Sequence, residues 1–290
     1  MSIAAPLYSY VDHRVAGWYY PWIMAGATPT SSPLEKKMRT VKASGYDGLG
    51  TSWWDLVCFY QERGSLDQVR QLAADLGLPL TGFTFVVEGW AFSEGAGEKN
   101  AMLLGKSSLD LAHAAGCRAP CLVAPFDKGD LRIAAKRFRE LAQYADHLGL
   151  RLGLEFIGPT PQLNNIKAAW EFLDLVDVES AGMAIDSYHF FAGRSSFADL
   201  LALPLAKILA IHIADAPADL SDPAIDFHRN MPGEGELPLG DFVKTVAAKG
   251  FNGYWHLECI NGDDYASEMT AVAERGLRLM KNVVGRSLAS

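Results

Sequence analysis

Two hydrophobic periods take turns along this chain. Stretches with apolar residues every three to four positions predict amphipathic helices over Pro33–Ser44, Leu66–Leu76, Gly97–Ala115, Leu131–Leu148, Leu163–Val176, Phe197–Leu203, Leu239–Lys249 and Tyr265–Lys281. Between them lie short, largely apolar runs: GYDGLGTSWW, LPLTGFTFVV, APCLVAPF, RLGLEFIG, GMAIDSYHFF, KILAIHIAD and GYWHLECI. Such runs predict strands buried on both faces, as in a parallel sheet. A first strand is expected within LYSYVDHRVAGWYYPW, residues 7–22. Glycine closes several of the helices, as in ASGYDG, DLGLPL, HLGLRL and AKGFNG, where it provides the usual C-terminal stop.

Eight strands alternating with eight helices predict an α/β fold, a closed (β/α)8 TIM barrel. An open doubly wound sheet is the poorer fit, because no GxGxxG follows the first strand. The 290 residues are expected to form one domain, 1–290, since such barrels commonly exceed the usual domain length. The segment AIDFHRNMPGEGE, between the seventh strand and its helix, is too long for a plain connection. Long βα loops of this fold carry function.

Four consecutive strands end in groups able to bind metal: Glu155, Asp186, His212 and Glu258. Burying that many charges without a counter-ion is costly, so one shared site explains them better than four unrelated strand ends. Three carboxylates and an imidazole suit a divalent ion such as Mn2+, Mg2+, Co2+ or Zn2+. If the four point inward, the two-residue period of a strand turns Gly153, Ala184, Ala210 and His256 inward as well. Leu152, Leu154, Ile185, Ile211, Ile213, Trp255 and Leu257 then face the helices. His256 is either a donor to Glu258 or a core histidine bonded to a carbonyl.

Charge and composition narrow the function. Net charge is −8, and no basic cluster is longer than EKKMR, which argues against a nucleic-acid partner. There is no basic leader followed by an apolar core and no run of about 18 apolar residues, so the expectation is a cytoplasmic protein without a membrane partner. The cysteines Cys58, Cys117, Cys121 and Cys259 form no CxxC pair and are expected as buried free thiols. The PGEGE stretch carries two glutamates and no lysine, which disfavours a phosphate cradle; Gly233 and Gly235 instead suit an unusual loop backbone.

The ordered set GLE at Glu155, DSYH from Asp186 to His189, HIAD from His212 to Asp215, RNMPGEG from Arg229 and HLE at Glu258 resembles the xylose-isomerase-like TIM-barrel superfamily. The likeness is to its sugar isomerases and epimerases, in the branch of ketose 3-epimerases, hydroxypyruvate isomerases and keto-inositol dehydratases. It implies that Glu155, Asp186, His212 and Glu258 hold one divalent metal, Mn2+ first among the candidates. It implies also that Glu155 and Glu258 are the acid/base pair of a metal-dependent isomerase or epimerase, moving a proton on a small polyhydroxy ketone through a metal-stabilised enediolate. His189 matches a histidine near the substrate oxygen, and Arg229 an arginine that reaches substrate from the inserted loop. Asp215, either orienting Arg229 or capping the next segment, is a further candidate at the substrate.

Other readings stay open. The same site logic serves a metal-dependent dehydratase of the keto-inositol or 3-dehydroshikimate type. Zinc-dependent DNA-repair endonucleases share the barrel but need three metals, more histidines and a basic face. The amino-terminal half has no family counterpart for GWYYPW and TSWW. Trp18, Tyr19, Tyr20, Trp22, Trp53 and Trp54 are equally suited to stacking on a sugar or to core packing. Glu88 and Trp90, after the third strand, are candidate substrate contacts, and a homodimer is possible.

Overall fold

The computed structural model describes residues 3–5, 34–261 and 267–289. Eight parallel strands close into a barrel in chain order: β1 (Ile3–Ala5), β2 (Gly48–Ser52), β3 (Leu80–Phe85), β4 (Pro120–Val123), β5 (Gly153–Glu155), β6 (Gly182–Asp186), β7 (Ile208–Ile213) and β8 (Trp255–Leu257). The first strand lies ahead of the 7–22 segment to which the apolar pattern points. Three residues suffice because they are paired on both sides, Ala4 and Ala5 with Gly48 and Leu49, and Ile3 and Ala4 with Trp255 and His256. Trp18, Tyr19, Tyr20 and Trp22 lie outside the described residues.

The helices are α1 (Leu34–Ser44), α2 (Trp53–Arg63), α3 (Asp67–Leu76), α4 (Ala96–Ala115), α5 (Leu131–His147), α6 (Ile166–Val176), α7 (Ser187–Ala192), α8 (Phe197–Ala202), α9 (Leu239–Ala248) and α10 (Met269–Ala289). Two of them, α2 and α7, occupy sequence that reads as strand. At the start of α2, the Ser52 hydroxyl accepts the Asp55 N–H at 3.3 Å while the Asp55 carboxylate accepts the Ser52 N–H at 3.1 Å. That reciprocal cap turns the chain into a helix as soon as the strand ends. Trp53 and Trp54 therefore begin a helix, edge to face with each other at 4.8 Å.

Burial separates into two layers, as the two-residue period requires. Leu152, Leu154, Ile185, Ile211, Ile213, Trp255 and Leu257 all join the large apolar layer between barrel and helices. Inside the barrel, Cys121, Ala184 and Ala210 form a separate small cluster. A Cβ on Gly153 would lie 3.1 Å from Cys121 Sγ, so the floor is built of the smallest side chains. His256 is a core histidine. Its Nε2 meets Thr81 Oγ1 at 3.1 Å, and burial, with His212 beside it, pushes its basicity down to about 3. None of the four cysteines is in a disulfide; Cys117, Cys121 and Cys259 are buried and Cys58 is half-buried.

A buried ion pair ties the first two helices together. Lys37 Nζ of α1 lies 2.7 Å from Asp55 Oδ1 of α2, and both side chains are fully buried. Asp55→Ala removes a carboxylate from a buried ammonium and should lower unfolding stability by about 3 kcal/mol. Glu35→Ala removes exposed pairs with Arg39 and Arg63 and should cost less than about 1 kcal/mol. Urea denaturation of both variants checks this; equal losses would contradict the assigned role of the buried pair.

Candidate metal centre and catalytic cleft

Glu155, Asp186, His212 and Glu258 stand within one residue of the ends of β5, β6, β7 and β8, with all four side chains buried. Asp186 pairs with His212 across β6 and β7, and His212 with His256 across β7 and β8, so Glu258 lies one inward step further along β8. Each of the four offers a ligand atom, and these atoms lie within 4.8 Å of one another. This buried cluster could bind a metal ion.

Two features fit that use. His212 Nδ1 lies 2.9 Å from Glu155 Oε1 and 2.6 Å from Glu258 Oε2. One nitrogen has at most one hydrogen to give, and the Glu258 oxygen is left buried without a hydrogen bond. A cation seated among these atoms would serve both carboxylates at once. The donor set itself, three carboxylates and an imidazole, is that of a divalent ion.

The charges are strongly interdependent. Burial pushes the Glu155 carboxyl up, Glu258 adds to this, and His212 opposes it. Burial acts the same way on Glu258, but His212, Arg229 and His189 outweigh it and hold that carboxyl down to about 2. Burial alone would make His212 less basic. The two glutamates, Glu258 first, overcome it and raise His212 well above the ordinary imidazole value.

Asp186 does two jobs, which explains the D-x-x-H spacing. Its Oδ1 accepts the His189 N–H at 2.9 Å, capping α7, so the residue that ends β6 also starts a helix. His189 then lies one turn on, not in a loop. Its Nδ1 is 3.3 Å from the Gly158 nitrogen and its Nε2 is 3.2 Å from Arg229 Nη2.

Arg229, buried over the face of Tyr188 with 4.8 Å from guanidinium carbon to ring centre, joins the inserted loop to this cluster. Nε and Nη2 reach Asp226 Oδ1 at 3.0 and 2.6 Å. Nη1 reaches Asp186 Oδ2 and the Glu258 carbonyl, each at 3.2 Å, and Nη2 also faces His189. A guanidinium has five N–H donors; four here meet carboxylate or carbonyl oxygens, and the fifth faces His189 Nε2, which carries the ring hydrogen when Nδ1 accepts the Gly158 N–H.

Three candidates take other places than the cleft. Asp215 is an anchor for the loop: Oδ1 accepts the Ala216 and Leu237 N–H groups at 2.9 and 3.0 Å, and Oδ2 accepts the Gly233 N–H at 2.9 Å. The same loop needs its glycines, since Gly233 has φ of +84° and a Cβ on Gly235 would collide with Asp215 Oδ1. Trp90 packs among helices, 5.8 Å from Phe138 and 6.4 Å from Phe172, and its indole donates to the Val123 carbonyl. Glu88 is exposed and is not part of the cleft wall.

The cleft above the cluster is lined by Thr84, Val86, Val123, Glu155, Ile157, His189, Asp226, Phe227, Arg229, Glu258 and Ile260. Asp226 and Phe227 were hidden from sequence reasoning. Their one signal is the position of Asp226, three residues before Arg229 in the long loop. The apolar wall residues carry the alternation expected of strand ends and nothing more. Among the described residues no helix is long and apolar enough to cross a membrane.

Comparison with known proteins adds the lineage. The chain is 30% identical over 260 residues to a 3-dehydroshikimate dehydratase of Pseudomonas aeruginosa PAO1, an alignment covering 86% of this chain. The chain spans 39% of the length of the dehydratases it matches. It is also 25% identical over 252 residues to a fructoselysine 3-epimerase of Escherichia coli O157:H7, covering 79% of this chain and 86% of that one. A crystal structure of the IOLI protein with a bound zinc atom superposes over the whole of both chains, with a TM-score of 0.85 and 18% identity, which establishes likeness of fold. A family model described as xylose isomerase-like TIM barrel matches residues 38–283, and the chain belongs to that family.

Proposed function

We propose that this protein is a divalent-metal-dependent isomerase or epimerase of a small polyhydroxy ketone. One observation carries the reading. Of the four clustered residues, only Glu155 and Glu258 line the cleft, while Asp186 and His212 stand behind them. Two carboxylates thus face a bound molecule, and each is able to hold or take a proton.

Glu155, Asp186, His212 and Glu258 would hold the ion. When bound, it supplies Lewis-acid stabilisation of negative charge on the substrate's oxygens. One glutamate takes the proton from the carbon beside the carbonyl, and the electron pair moves onto the carbonyl oxygen to give an enediolate. The other glutamate returns a proton, to the opposite face in an epimerase or to the adjoining carbon in an isomerase. His189 sits in the cleft wall to orient a substrate oxygen, and the apolar residues Val86, Val123, Ile157 and Ile260 keep water from the reacting carbon.

A dehydratase is the second reading, favoured by the relatives named 3-dehydroshikimate dehydratase. There one glutamate takes the proton, the double bond forms, and the β-hydroxyl leaves as water after receiving a proton.

Metal uptake should release protons. The glutamates raise His212 well above the ordinary imidazole value and so favour its protonated form, whereas a ligating nitrogen must be unprotonated. Near neutral pH about one proton should leave per ion bound, and affinity should fall as pH falls. Calorimetry with Mn2+ in buffers of different ionisation heat reads the count; no proton release, or tighter binding on acidification, contradicts this.

Turnover is tested by mass spectrometry of ketoses, keto-inositols and 3-dehydroshikimate incubated with the protein and Mn2+ in D2O, beside a chelated control. Gain of one deuterium without loss of water is expected. Loss of water would make the dehydratase reading the correct one, and no change in any compound would overturn both. Glu155→Gln and Glu258→Gln should each keep the fold and lower the rate by at least about a hundredfold; full activity in both variants sinks the mechanism.

A further inference from the structure

Arg229 lines the cleft but turns its N–H groups toward the protein. Four of its N–H groups are engaged by Asp226, Asp186 and the Glu258 carbonyl, and the fifth is turned toward His189. Its neighbour Asp226 is in the opposite situation. Both contacts from Arg229 fall on Oδ1, at 3.0 and 2.6 Å, and Oδ2 has no hydrogen-bond partner among the described residues. The Asp226 side chain is 17% exposed and forms part of the cleft wall beside Phe227. The guanidinium therefore fixes the carboxylate through one oxygen and leaves the other for the cleft.

The charge balance of the wall points the same way. With Glu155 and Glu258 given to the ion, Asp226 is the carboxylate left on the described lining, which includes no lysine and a single arginine already bonded to Asp226, Asp186 and the Glu258 carbonyl. A polyhydroxy ketone brings hydroxyl donors, which such an acceptor can satisfy. A substrate with a carboxylate or phosphate remote from the ion brings charge of the same sign as Asp226 and finds no lysine or uncommitted arginine among the described lining residues.

We propose that Asp226 is a specificity-determining substrate contact: its free oxygen accepts a hydroxyl hydrogen of an uncharged polyhydroxy ketone and turns away anionic analogues. The assignment rests on the ketone reading above for its substrate class, and it also discriminates against 3-dehydroshikimate, which is an anion. Arg229 is the positioning residue that aims this carboxylate.

The test compares D-ribulose with D-ribulose 5-phosphate, which share the ketone end and differ in charge at the far end. Dissociation constants are measured by calorimetry on the full chain loaded with Mn2+, so that no turnover is needed. The neutral ketose should bind at least about tenfold more tightly than its phosphate. Asp226→Asn keeps an oxygen for Arg229 and replaces the free acceptor with a donor. It should weaken ketose binding about tenfold and shrink the preference by a similar factor, with Mn2+ affinity unchanged. Unchanged ketose and phosphate affinities in this variant overturn the proposal, as does a wild-type preference for the phosphate or tight binding of 3-dehydroshikimate. Should the variant fail to fold, the wild-type protein decides through salt: repulsion predicts that phosphate binding improves with ionic strength, and improvement supports the proposal while weakening overturns it. A protein that prefers the neutral ketose yet exchanges no deuterium keeps the Asp226 assignment and loses the proposed function.

Discussion

Three carboxylates gathered within 4.8 Å at buried strand ends repel one another, and the rest of this site is organised around that repulsion. Unpaired, such a cluster would oppose folding by several kcal/mol per buried charge. Two cationic groups answer it from opposite sides. His212, between Glu155 and Glu258, is driven toward its protonated form, and Arg229 bonds Asp186 from behind. A proton on His212 and a divalent ion among the same ligands are alternative solutions to one electrostatic problem, which is why the donor set reads as a metal centre.

The barrel makes that gathering possible. Parallel strands in register bring the C-terminal ends of β5 to β8 side by side, and the small floor of Gly153, Cys121, Ala184 and Ala210 leaves the space above it to the longer polar chains. The inserted loop then closes the arrangement from one side. Asp215 grips it through three backbone N–H groups, and Arg229 carries its charge inward to Asp186 and the end of β8. These bonds tie the loop to the barrel at two points. The cleft inherits the consequence: its wall is acidic and apolar, and its arginine is committed to structure.

Much of this was legible in the sequence because two simple periods control it. Strand alternation assigned Leu154, Ile185 and Ile211 to the helix-facing layer and Ala184 and Ala210 to the interior, and the described structure agrees. Glu155, Asp186, His212 and Glu258 stood out as polar groups ending apolar runs. What periodicity could not convey was any contact set by a single local cap or by a distant return of the chain. The TSWW segment has strand-like composition, yet the Ser52–Asp55 cap makes Trp53 the start of a helix. Asp186 likewise turns SYHFFA into a helix by capping it. Trp90 looked like a rim aromatic because Val-Val-Glu-Gly-Trp follows a strand, but its ring finds a drier place against Phe138 and Phe172. The commitments of Arg229 and the role of Asp215 draw on partners dozens of residues away, and no local pattern encodes them.

The central claim is that four strand ends form one divalent-metal centre. Crystals of the protein soaked in Mn2+ and measured at the manganese absorption edge test it directly. One strong anomalous peak is expected within ordinary coordination distance of Glu155, Asp186, His212 Nδ1 and Glu258. A peak elsewhere, or a cluster that stays free of manganese with His212 Nδ1 still against Glu155 and Glu258, would contradict it.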